Sequence, residues 1–306
     1  MSSCPATLLA AAHEAAAHQH YPQGALYLVA TPIGNLADIG LRALHLLSLV
    51  DCVACEDTRH SAGLLQGYGL HKPLLALHQH NEVEAAQTVL QRLQAGQRVA
   101  YVSDAGTPGV SDPGARLVAL VTAAGLRCVP IPGPSSITAL LSVAGALDRD
   151  GGFVVAGFLS SKAGERQRQV QAIGADARAC VLLEAPHRIE ALAHDLAVLG
   201  ERGLSVGREL TKQFEQVVLL RAQDFAAWLQ ADAQRRRGEF VLLLHPLQSA
   251  PPAAADAKAL RTLDVLLAEL PLKTAVKLCA EITAWPRNAL YQAALARRKD
   301  ESNEPD

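Results

Sequence analysis

Residues 103–114 combine an acidic side chain with a loop rich in glycine and proline, in the order Ser-Asp-Ala-Gly-Thr-Pro-Gly-Val-Ser-Asp-Pro-Gly. Residues 99–103 are typical of a buried parallel strand, so Asp104 is predicted at the carboxyl end of that strand. Open α/β sheets bind ligands at this end of their strands. Gly106 and Gly109 have no Cβ and therefore allow a ligand close to the backbone, while the prolines reduce the order lost on binding.

The end of this loop predicts the start of a helix. Asp112 is expected as its N-cap and Pro113 at the first helical position, where the missing N–H of proline costs nothing. A rigid turn that binds nothing is the alternative interpretation of so short a loop.

Three more turns follow predicted strands and repeat this composition. They cover residues 31–34 (Thr-Pro-Ile-Gly), 56–59 (Glu-Asp-Thr-Arg) and 132–136 (Pro-Gly-Pro-Ser-Ser). If the strands are parallel, all the turns meet at one edge of the sheet. That edge would carry the carboxylates of Glu56, Asp57 and Asp104 beside hydroxyl groups and glycines. A ligand of mixed charge, with an ammonium, a carboxylate and a ribose, would suit it.

The composition limits the class of protein. The chain has 306 residues, enough for two domains, and 50% of them are hydrophobic, so a large core is possible. The formal net charge of -2 differs from the basic balance of a dedicated nucleic-acid-binding protein, so any RNA contact needs a local cationic patch. Scattered cysteines suit a reducing cytoplasm, and the sequence contains neither a secretory signal pattern nor an apolar run of membrane-spanning length.

Several common chemistries are disfavoured. The phosphate-binding pattern G-x-x-x-x-G-K-[ST] is absent, and residues 67–69 (Gly-Tyr-Gly) lack the third glycine and the context of a dinucleotide site. Neither the His/Glu spacing of a zinc protease nor the G-x-S-x-G pattern of a serine hydrolase occurs. Cys52 and Cys55 form a C-x-x-C pair, but on a strand they would point to opposite faces, which favours buried thiols over a metal or redox site.

The order of the predicted elements indicates an α/β protein in four regions. These are a disordered extension (residues 1–23), an N-terminal α/β domain with a parallel sheet (24–148), a second α/β domain with a mixed sheet (149–248), and a C-terminal helical module (258–298) with breaks at Pro271 and Pro286. Repeated strand–helix units predict the parallel sheet, and a hairpin in the second domain predicts mixed strand directions there.

Short motifs recur in order along residues 25–245 and carry a resemblance to a known family. They are TPIGNLxD at 31–38, CEDTR at 55–59, SDAGTPGxSDPG at 103–114, PGPS at 132–135, AGFL at 156–159, EAPHR at 184–188, GRELTK at 207–212 and GEF at 238–240. Together they closely resemble the ribosomal RNA small subunit methyltransferase I family of the tetrapyrrole methylase superfamily. Residues 1–23 are extra to the pattern, and Ser160 stands where the family has proline, which should make that loop less stiff.

The resemblance implies a fold, a cofactor and a reaction. It implies two α/β domains with S-adenosylmethionine (SAM) bound in the cleft between them, in a homodimer. It also implies 2′-O-ribose methylation of a cytidine in the decoding region of 16S rRNA in the 30S subunit. The cofactor-binding residues that it implies are Pro32, Asp104, Ala105, Gly106, Thr107, Pro108, Ser135, Ser136, Leu183, Thr211, Gly238 and Glu239.

A ribose hydroxyl is a poor nucleophile and needs a base or a neighbour that stabilises its developing charge. The sequence offers four candidates for this catalytic role and does not rank them: Asp57, Glu82, Glu184 and Lys212. The alternative for each is a helix cap or a surface ion pair.

RNA binding requires local positive charge despite the overall balance. The candidate contacts are Arg59, Lys162, Arg166, His187 and Arg188, and residues 235–237 form a further basic run. A solvated helix face is the alternative interpretation of such runs.

Two other functions remain open at this point. One is methylation of a tetrapyrrole precursor by SAM, against which the basic segment after Gly157 argues, because it suits phosphates better. The other is an RNA-binding module without catalysis, in which the glycine and proline turns are only scaffolding. SAM binding separates the second from an enzyme, and the identity of the methyl acceptor separates the first from an rRNA methyltransferase.

Overall fold

The computed structural model describes residues 5–78, 81–110, 114–146, 152–247 and 257–301, and side chains are not described for 257–258 and 296–301. The chain divides into two compact units, Met1–Pro246 and Leu247–Asp306, and each is described by itself.

The first sheet of the larger unit has five parallel strands in the spatial order β3-β2-β4-β1-β5. They are β1 (Ala25–Val29), β2 (Cys52–Cys55), β3 (Leu74–Ala76), β4 (Val99–Val102) and β5 (Arg127–Ile131). Strands β2 and β4 are buried along their whole length, as their uninterrupted apolar sequences predict for a sheet covered on both faces. The predicted parallel sheet is therefore confirmed.

Helices cover both faces of this sheet. They are α2 (Leu41–Leu49), α3 (Thr58–Gly67), α4 (Glu82–Gln94) and α5 (Ala115–Ala123), while α6 (Ser136–Ala144) follows β5 and packs elsewhere. Leu44, Leu46 and Leu47 of α2 pack into the core on one face, while Val89 of α4 and Leu117 of α5 pack into the core on the other. Each strand thus ends at the same edge, where a loop leads into the next helix.

The start of α5 differs from the prediction. The helix begins at Ala115, with Gly114 at the N-cap position, so Pro113 is not its first residue. Asp112 and Pro113 themselves lie outside the described residues. The side chain of Glu82 takes the capping role instead, because its Oε1 accepts a hydrogen bond from the Gly114 N–H at 3.1 Å.

The N-terminal extension is ordered over much of its length, contrary to the prediction for residues 1–23. Helix α1 (Pro5–Ala16) places Leu8, Leu9 and Ala12 against the core of the first sheet, and Ala12 is fully buried. The hydroxyl of Tyr21 donates to the carbonyl of Ala16 at 3.1 Å and ties the helix to the first strand region. Small apolar residues at helical spacing supply the buried face, and the surrounding alanine, histidine and glutamine obscure it in the sequence.

The second sheet has mixed strand directions and the order β6-β7-β10-β8-β9. Its strands are β6 (Phe153–Gly157), β7 (Ala179–Glu184), β8 (Gly203–Arg208), β9 (Gln216–Arg221) and β10 (Phe240–Leu244). In this second sheet, β6 and β7 form the one parallel pair among the described strands, and the other neighbours are antiparallel. Strands β8 and β9 form the predicted hairpin. Helices α7 (Ala163–Ala175), α8 (Ile189–Leu196) and α9 (Phe225–Gln230) pack against it.

Helix α6 joins the two sheets. It follows β5 of the first sheet, and its Ile137 and Leu140 are buried against Val181, Val241 and Leu243 of the second sheet. The carboxyl end of β7, the end of β8 and the start of β10 lie together, because Phe240 is paired with both Glu184 and Arg208. This packing brings that edge of the second sheet against the loops that follow the first sheet.

The smaller unit is helical, as predicted for residues 258–298. Helices α10 (Ala257–Glu269), α11 (Leu272–Thr283) and α12 (Arg287–Glu301) bury Leu263, Cys279 and Leu290 in a core of their own. The breaks fall at Pro271, which precedes α11, and at Pro286, which precedes α12. The two prolines therefore act as the predicted helix ends.

The α/β fold class is confirmed, but one predicted boundary stays untested. The junction between residues 148 and 149 falls within 147–151, outside the described residues. Within the described part of the chain, each helix is too short or too polar to cross a bilayer.

Candidate active site

A cavity of about 460 Å³ lies between the edges of the two sheets. From the first sheet it is lined by Ile33 after β1, Glu56 after β2, residues 104–107 after β4, and Ser135 with Ser136 after β5. The predicted meeting of four turns at one edge is therefore observed. From the second sheet it is lined by residues 183–186, Leu210 and residues 239–241.

Backbone and side-chain hydrogen bonds hold these turns to one another. Thr31 and Gly106 exchange two backbone hydrogen bonds of 2.9 and 3.0 Å, which ties the loop after β4 to the end of β1. The hydroxyl of Thr107 donates to the carbonyl of Pro134 at 3.0 Å and ties the same loop to the turn after β5. The cavity wall is thus a cross-linked set of turns, which reduces the order that a ligand must impose on binding.

Asp104 joins this network through its side chain. Its Oδ1 accepts a hydrogen bond from the backbone N–H of Asp57 at 3.2 Å, and the residue is partly exposed in the cavity wall. The neighbouring Gly106 has φ +80°, a left-handed conformation that suits glycine, and a Cβ there would approach Ile33 at 3.3 Å.

Most of the predicted cofactor-binding residues line this cavity. They are Asp104, Ala105, Gly106, Thr107, Ser135, Ser136, Leu183 and Glu239. Pro32, Pro108 and Gly238 are not among its described lining residues, although each is adjacent in sequence to one that is. The binding role of all these residues stays a prediction.

Thr211 faces a second cavity of about 430 Å³, which shares Ile33 and Ser135 with the first. Its φ of +68° is unusual for a β-branched residue, and its hydroxyl is buried without a hydrogen-bond partner among the described residues. Glu215 supports this conformation, since its carboxylate accepts a hydrogen bond from the Thr211 N–H at 2.6 Å. Such strain at a cavity wall is typical of functional segments.

All four catalytic candidates belong to the described part of the chain. Of these four, Glu184 alone lines the larger cavity. Its side chain is fully buried, Oε1 accepts from the Ala185 N–H at 2.9 Å, and Arg188 Nε lies 3.1 Å from the same oxygen. Oε2 is buried without a hydrogen-bond partner among the described residues. An unpartnered carboxylate oxygen on a residue of the cavity wall is a candidate acceptor for a proton or a donor group.

Asp57 and Glu82 lie outside the described cavity lining and have structural partners. The hydrogen bond from the Arg59 side chain lowers the pKa of Asp57, which makes this carboxylate a weak base, and Asp57 also caps α3. Glu82 caps the start of α5 and lies 3.7 Å from Arg116. In this structure Asp57 and Glu82 therefore act as helix caps and ion-pair partners, which is the alternative to a catalytic role.

Lys212 lies between two carboxylates beside the cavity. Its Nζ is 2.8 Å from Glu209 and 3.2 Å from Glu239, and Glu239 lines the cavity. Burial by itself lowers the pKa of Lys212, but the hydrogen bonds and charges of the two glutamates outweigh it, and the pKa lies above its ordinary value. Lys212 is therefore a cation at neutral pH and suits charge stabilisation, not proton abstraction.

The same cluster lowers the pKa of Glu209. Burial by itself raises this pKa, but the hydrogen bonds from Lys212 and from the Glu239 N–H, at 2.8 and 3.0 Å, outweigh it. The hydrocarbon stem of Lys212 lies against Gly34, where an added Cβ would be 2.5 Å from Lys212 Cγ. The turn after β1 and the turn after β8 are therefore packed directly on each other.

The predicted RNA-binding cations fall into two groups. Arg59, Lys162 and His187 are exposed, so they are accessible to a polyanion. Arg188 is partly buried, close to Glu184, and donates to the Leu159 carbonyl. Arg188 therefore holds the cavity wall in place.

Arg166 is a correction to the sequence-based prediction. Its side chain is 9% exposed and its Nε lies 2.5 Å from Asp195 Oδ2 on α8, so it pairs helices α7 and α8 and does not face solvent. The adjacent Gln167 also donates to Asp195, at 3.1 Å. The spacing of basic residues on α7 could not show which of them has a buried acidic partner.

Among the described residues, no cluster of three or more His, Cys, Asp or Glu side chains is arranged to hold a metal ion. Cys52 and Cys55 are buried free thiols, as predicted, and burial raises the pKa of both. Raised pKa values leave these thiols protonated and unreactive at neutral pH.

Sequence reasoning missed much of the apolar wall. The residues not predicted as binding residues include Ile33, Val110, Ile137, Phe158, Leu210, Phe240 and Val241. Phe158 and Leu210 stand within the recognised motifs AGFL and GRELTK, so the motifs marked the segments but not the side chains that face the cavity. A mostly apolar wall with a few acids and hydroxyls suits a ligand that has both a flat apolar part and charged groups.

Comparisons with known proteins agree with this geometry. The profile of the Tetrapyrrole (Corrin/Porphyrin) Methylases matches residues 25–226, and that of the RsmI C-terminal HTH domain matches residues 253–298. The chain is 48% identical over 280 residues to a Pseudomonas aeruginosa protein named Ribosomal RNA small subunit methyltransferase I, covering 90% of this chain and 98% of the relative. An Escherichia coli protein of the same name is 47% identical over 279 residues, covering 90% and 96%.

A solved structure shares the fold at lower identity. The uroporphyrin-III C-methyl transferase from Thermus thermophilus, complexed with S-adenyl homocysteine, superimposes with a TM-score of 0.51 at 19% identity, covering 71% of this chain and 96% of that one. These matches confirm the resemblance found in the motifs. The chain belongs to the tetrapyrrole (corrin/porphyrin) methylase family and, within it, to the ribosomal RNA small subunit methyltransferase I group.

Proposed function

We propose that this protein is a SAM-dependent methyltransferase that acts on the ribose 2′-hydroxyl of a cytidine in the decoding region of 16S rRNA. The observation that carries the proposal is the position of the family motifs, which meet around one cavity in a chain 48% identical to a named rRNA small subunit methyltransferase. The methyltransferase class follows from the family, and the position on the RNA is the finer part of the proposal.

The cavity fits SAM in size and in chemistry. Its volume of about 460 Å³ lies within the usual range for small-molecule sites, and its wall is mostly apolar with acidic and hydroxyl groups. Leu183, Leu210 and Val241 offer apolar surface to an adenine ring, while Asp104, Ser135 and Ser136 offer polar contacts to the ribose and amino acid parts. When bound, SAM supplies a methyl group that carries positive charge and transfers to a nucleophilic oxygen.

The residues of the chain contribute positioning and charge. The cross-linked turns after β1, β4 and β5 hold the ligand in one orientation, and positioning supplies much of the rate in a displacement at carbon. Glu184 is the preferred base for the ribose hydroxyl because it lines the cavity and one of its oxygens has no partner among the described residues. Lys212 remains a cation and stabilises negative charge at the rim.

The assembly in which this reaction occurs is also part of the proposal. The substrate is the rRNA of the 30S subunit, bound through Arg59, Lys162 and His187, and the enzyme is a cytoplasmic homodimer. The tetrapyrrole alternative is weaker, since the sequence identity to uroporphyrin methyltransferases of known structure is 19–21% and the similarity extends to the fold alone. The helical unit matches the HTH profile and is the natural source of further RNA contacts.

Transfer of labelled methyl groups tests the proposal. The full chain is incubated with methyl-labelled SAM and with either unmethylated 30S subunits or uroporphyrinogen III, and the RNA is digested to nucleosides. We expect label in 2′-O-methylcytidine from 16S rRNA and none in the porphyrin. Label in the porphyrin, or failure to bind SAM by calorimetry, would overturn the proposal.

A further inference from the structure

Phe158 is an aromatic side chain in the wall of the cavity, yet it is 52% exposed. The other aromatic residue among the described lining residues, Phe240, is 2% exposed and belongs to the core. Single exposed apolar side chains are common on protein surfaces, so it is the place of this ring in the cavity wall that makes it a candidate contact for a ligand.

The backbone around Phe158 is shaped to turn this side chain outward. The pairing of β6 with β7 shifts register between Val155 and Gly157, and Gly157 has φ +66°. An irregularity of this kind redirects the following side chain and is common beside functional sites. Without the shift, the alternation of the strand would continue and Phe158 would lie on the other face.

The residues that follow fix this arrangement. Leu159 is buried, and its carbonyl accepts a hydrogen bond from Arg188, which itself lies beside Glu184. Ser160 donates through its N–H to Gln169 and through its hydroxyl to Glu165, both at 2.8 Å. Phe158 is thus held between a glycine and an anchored segment, so its exposure does not result from a loose loop. This also answers the expectation that Ser160 weakens the loop, because its hydroxyl supplies an anchor that proline lacks.

Basic residues follow Phe158 along the chain and occupy the turn at 185–188, although the cavity wall itself carries carboxylates and Lys162 lies 3.5 Å from Glu165. The side chain of Lys162, four residues later, is 78% exposed, and His187 on the neighbouring turn is exposed. Arg188 supports the wall on the same side. An exposed aromatic ring with a lysine and a histidine nearby matches a common way in which proteins hold single-stranded RNA, in which a base stacks on the ring and polar or basic side chains contact the phosphates.

We infer that Phe158 is the stacking platform for the base of the nucleotide whose ribose is methylated. This inference rests on the proposed function and adds a specificity-determining residue to it. A cytosine turned out of the RNA stacks on the ring, which positions its sugar toward the cavity and its 5′ and 3′ phosphates toward Lys162 and His187. Enzymes that modify a nucleotide commonly extract it and hold its base between aromatic or apolar side chains.

Kinetics of four variants test the inference. The variants are Phe158→Ala, Phe158→Leu, Phe158→Tyr and, as a matched control, Phe153→Ala, whose ring is 44% exposed at the start of β6, the strand that Phe158 follows, but lies outside the described cavity lining. Loss of one base stack weakens RNA binding by roughly 5- to 150-fold. We expect Phe158→Ala to raise the KM for 30S subunits by that factor, Phe158→Leu to remain impaired, and Phe158→Tyr and the control to match the wild type.

Two further measurements separate this role from others. The Kd of SAM, measured by calorimetry, should change less than twofold in every variant. A short single-stranded RNA with the fluorescent cytosine analogue pyrrolocytosine should be quenched by the wild type and not by Phe158→Ala, a readout that does not depend on methyl transfer.

Specific results would overturn the inference. A weaker Kd for SAM with an unchanged KM for 30S subunits would place Phe158 against the cofactor, and wild-type behaviour of Phe158→Leu would show that only apolar contact is needed. If the wild type methylates no 30S subunits, the proposed function fails. If Phe158→Ala quenches the pyrrolocytosine RNA as strongly as the wild type does, only the stacking role of Phe158 is contradicted.

Discussion

The carboxylate of Asp104 accepts a hydrogen bond from the backbone N–H of Asp57, with 3.2 Å between Oδ1 and N. These residues are 47 positions apart in sequence and stand at the ends of the adjacent strands β4 and β2. One side chain therefore fixes the relative position of two of the turns that line the cavity. Within the described part of the chain this hydrogen bond uses Oδ1, so Oδ2 is the oxygen left to contact a ligand in the cavity that Asp104 lines.

Replacement of Asp104 by alanine should weaken SAM binding. The change removes a ligand contact and leaves the Asp57 N–H without its acceptor, and a lost hydrogen bond to a charged group costs about 1.5–3 kcal/mol. We expect the Kd of SAM to rise at least tenfold in calorimetry. The matched control is Asp51→Ala, which removes a 2.7 Å bond to the Arg98 N–H at the opposite edge of the same sheet. An unchanged Kd in Asp104→Ala, or an equal rise in the control, would contradict this role.

Replacement of Glu184 by glutamine tests its assignment as the base. Glutamine keeps the shape of the side chain but cannot take a proton from the ribose hydroxyl, and general bases contribute about 10²–10⁴-fold to rate. We expect kcat to fall by at least a hundredfold while the Kd of SAM stays within threefold. Glu201→Gln, which removes only an exposed ion pair with Arg221, should leave kcat unchanged. Full activity of Glu184→Gln would exclude Glu184 as the base.

The sequence was sufficient for the elements that have sharp local signals. The buried strand predicted at 99–103 is observed at Val99–Val102, and the helix breaks predicted at Pro271 and Pro286 are observed, because an apolar run that ends in a turn and a proline within a helical pattern are local signals. Contacts between distant segments were not accessible in this way. The burial of Arg166 depends on Asp195, and the outward position of Phe158 depends on a register shift in β6, and neither leaves a local pattern.

The Gly238→Ala variant should lose more folding stability than the left-handed backbone conformation alone would cost. Gly238 has φ +88°, and a Cβ there would be 2.4 Å from Glu209 Cγ, so Glu209 would be pushed away from Lys212. The left-handed backbone alone costs about 1–2 kcal/mol. Gly96→Ala is the control for that cost, because Gly96 has φ +82° with nothing within 4 Å of the added atom. We expect urea unfolding to show a larger loss of stability for Gly238→Ala, and equal losses would refute the packing argument.

The ion cluster around Lys212 predicts a pH-dependent contribution to stability. The folded-state pKa of Glu209 is lowered, so its contribution is complete above the unfolded pKa of about 4.3 and is lost as the pH falls through the lowered value. The raised pKa of Lys212 makes its contribution complete below about 10.4, so both are present at neutral pH. We therefore expect the stability difference between the wild type and Lys212→Met to be larger at pH 7 than at pH 3. The measurement is urea unfolding at each pH, and a difference that does not depend on pH would show that only packing against Gly34 is lost.

Arg166 and Asp195 should behave as a structural pair and not as part of an RNA surface. Both side chains are 9% exposed, so Arg166→Met leaves the Asp195 carboxylate buried without its cation, a change that typically costs about 3–5 kcal/mol. The double variant Arg166→Met with Asp195→Leu removes both charges and should recover most of that loss in urea unfolding. The KM for 30S subunits should be normal in the folded double variant, whereas Lys162→Ala, which removes an exposed cation, should raise it. If the double variant is stable but binds 30S subunits poorly, Arg166 contacts RNA after all, and the buried ion pair would have to open on binding.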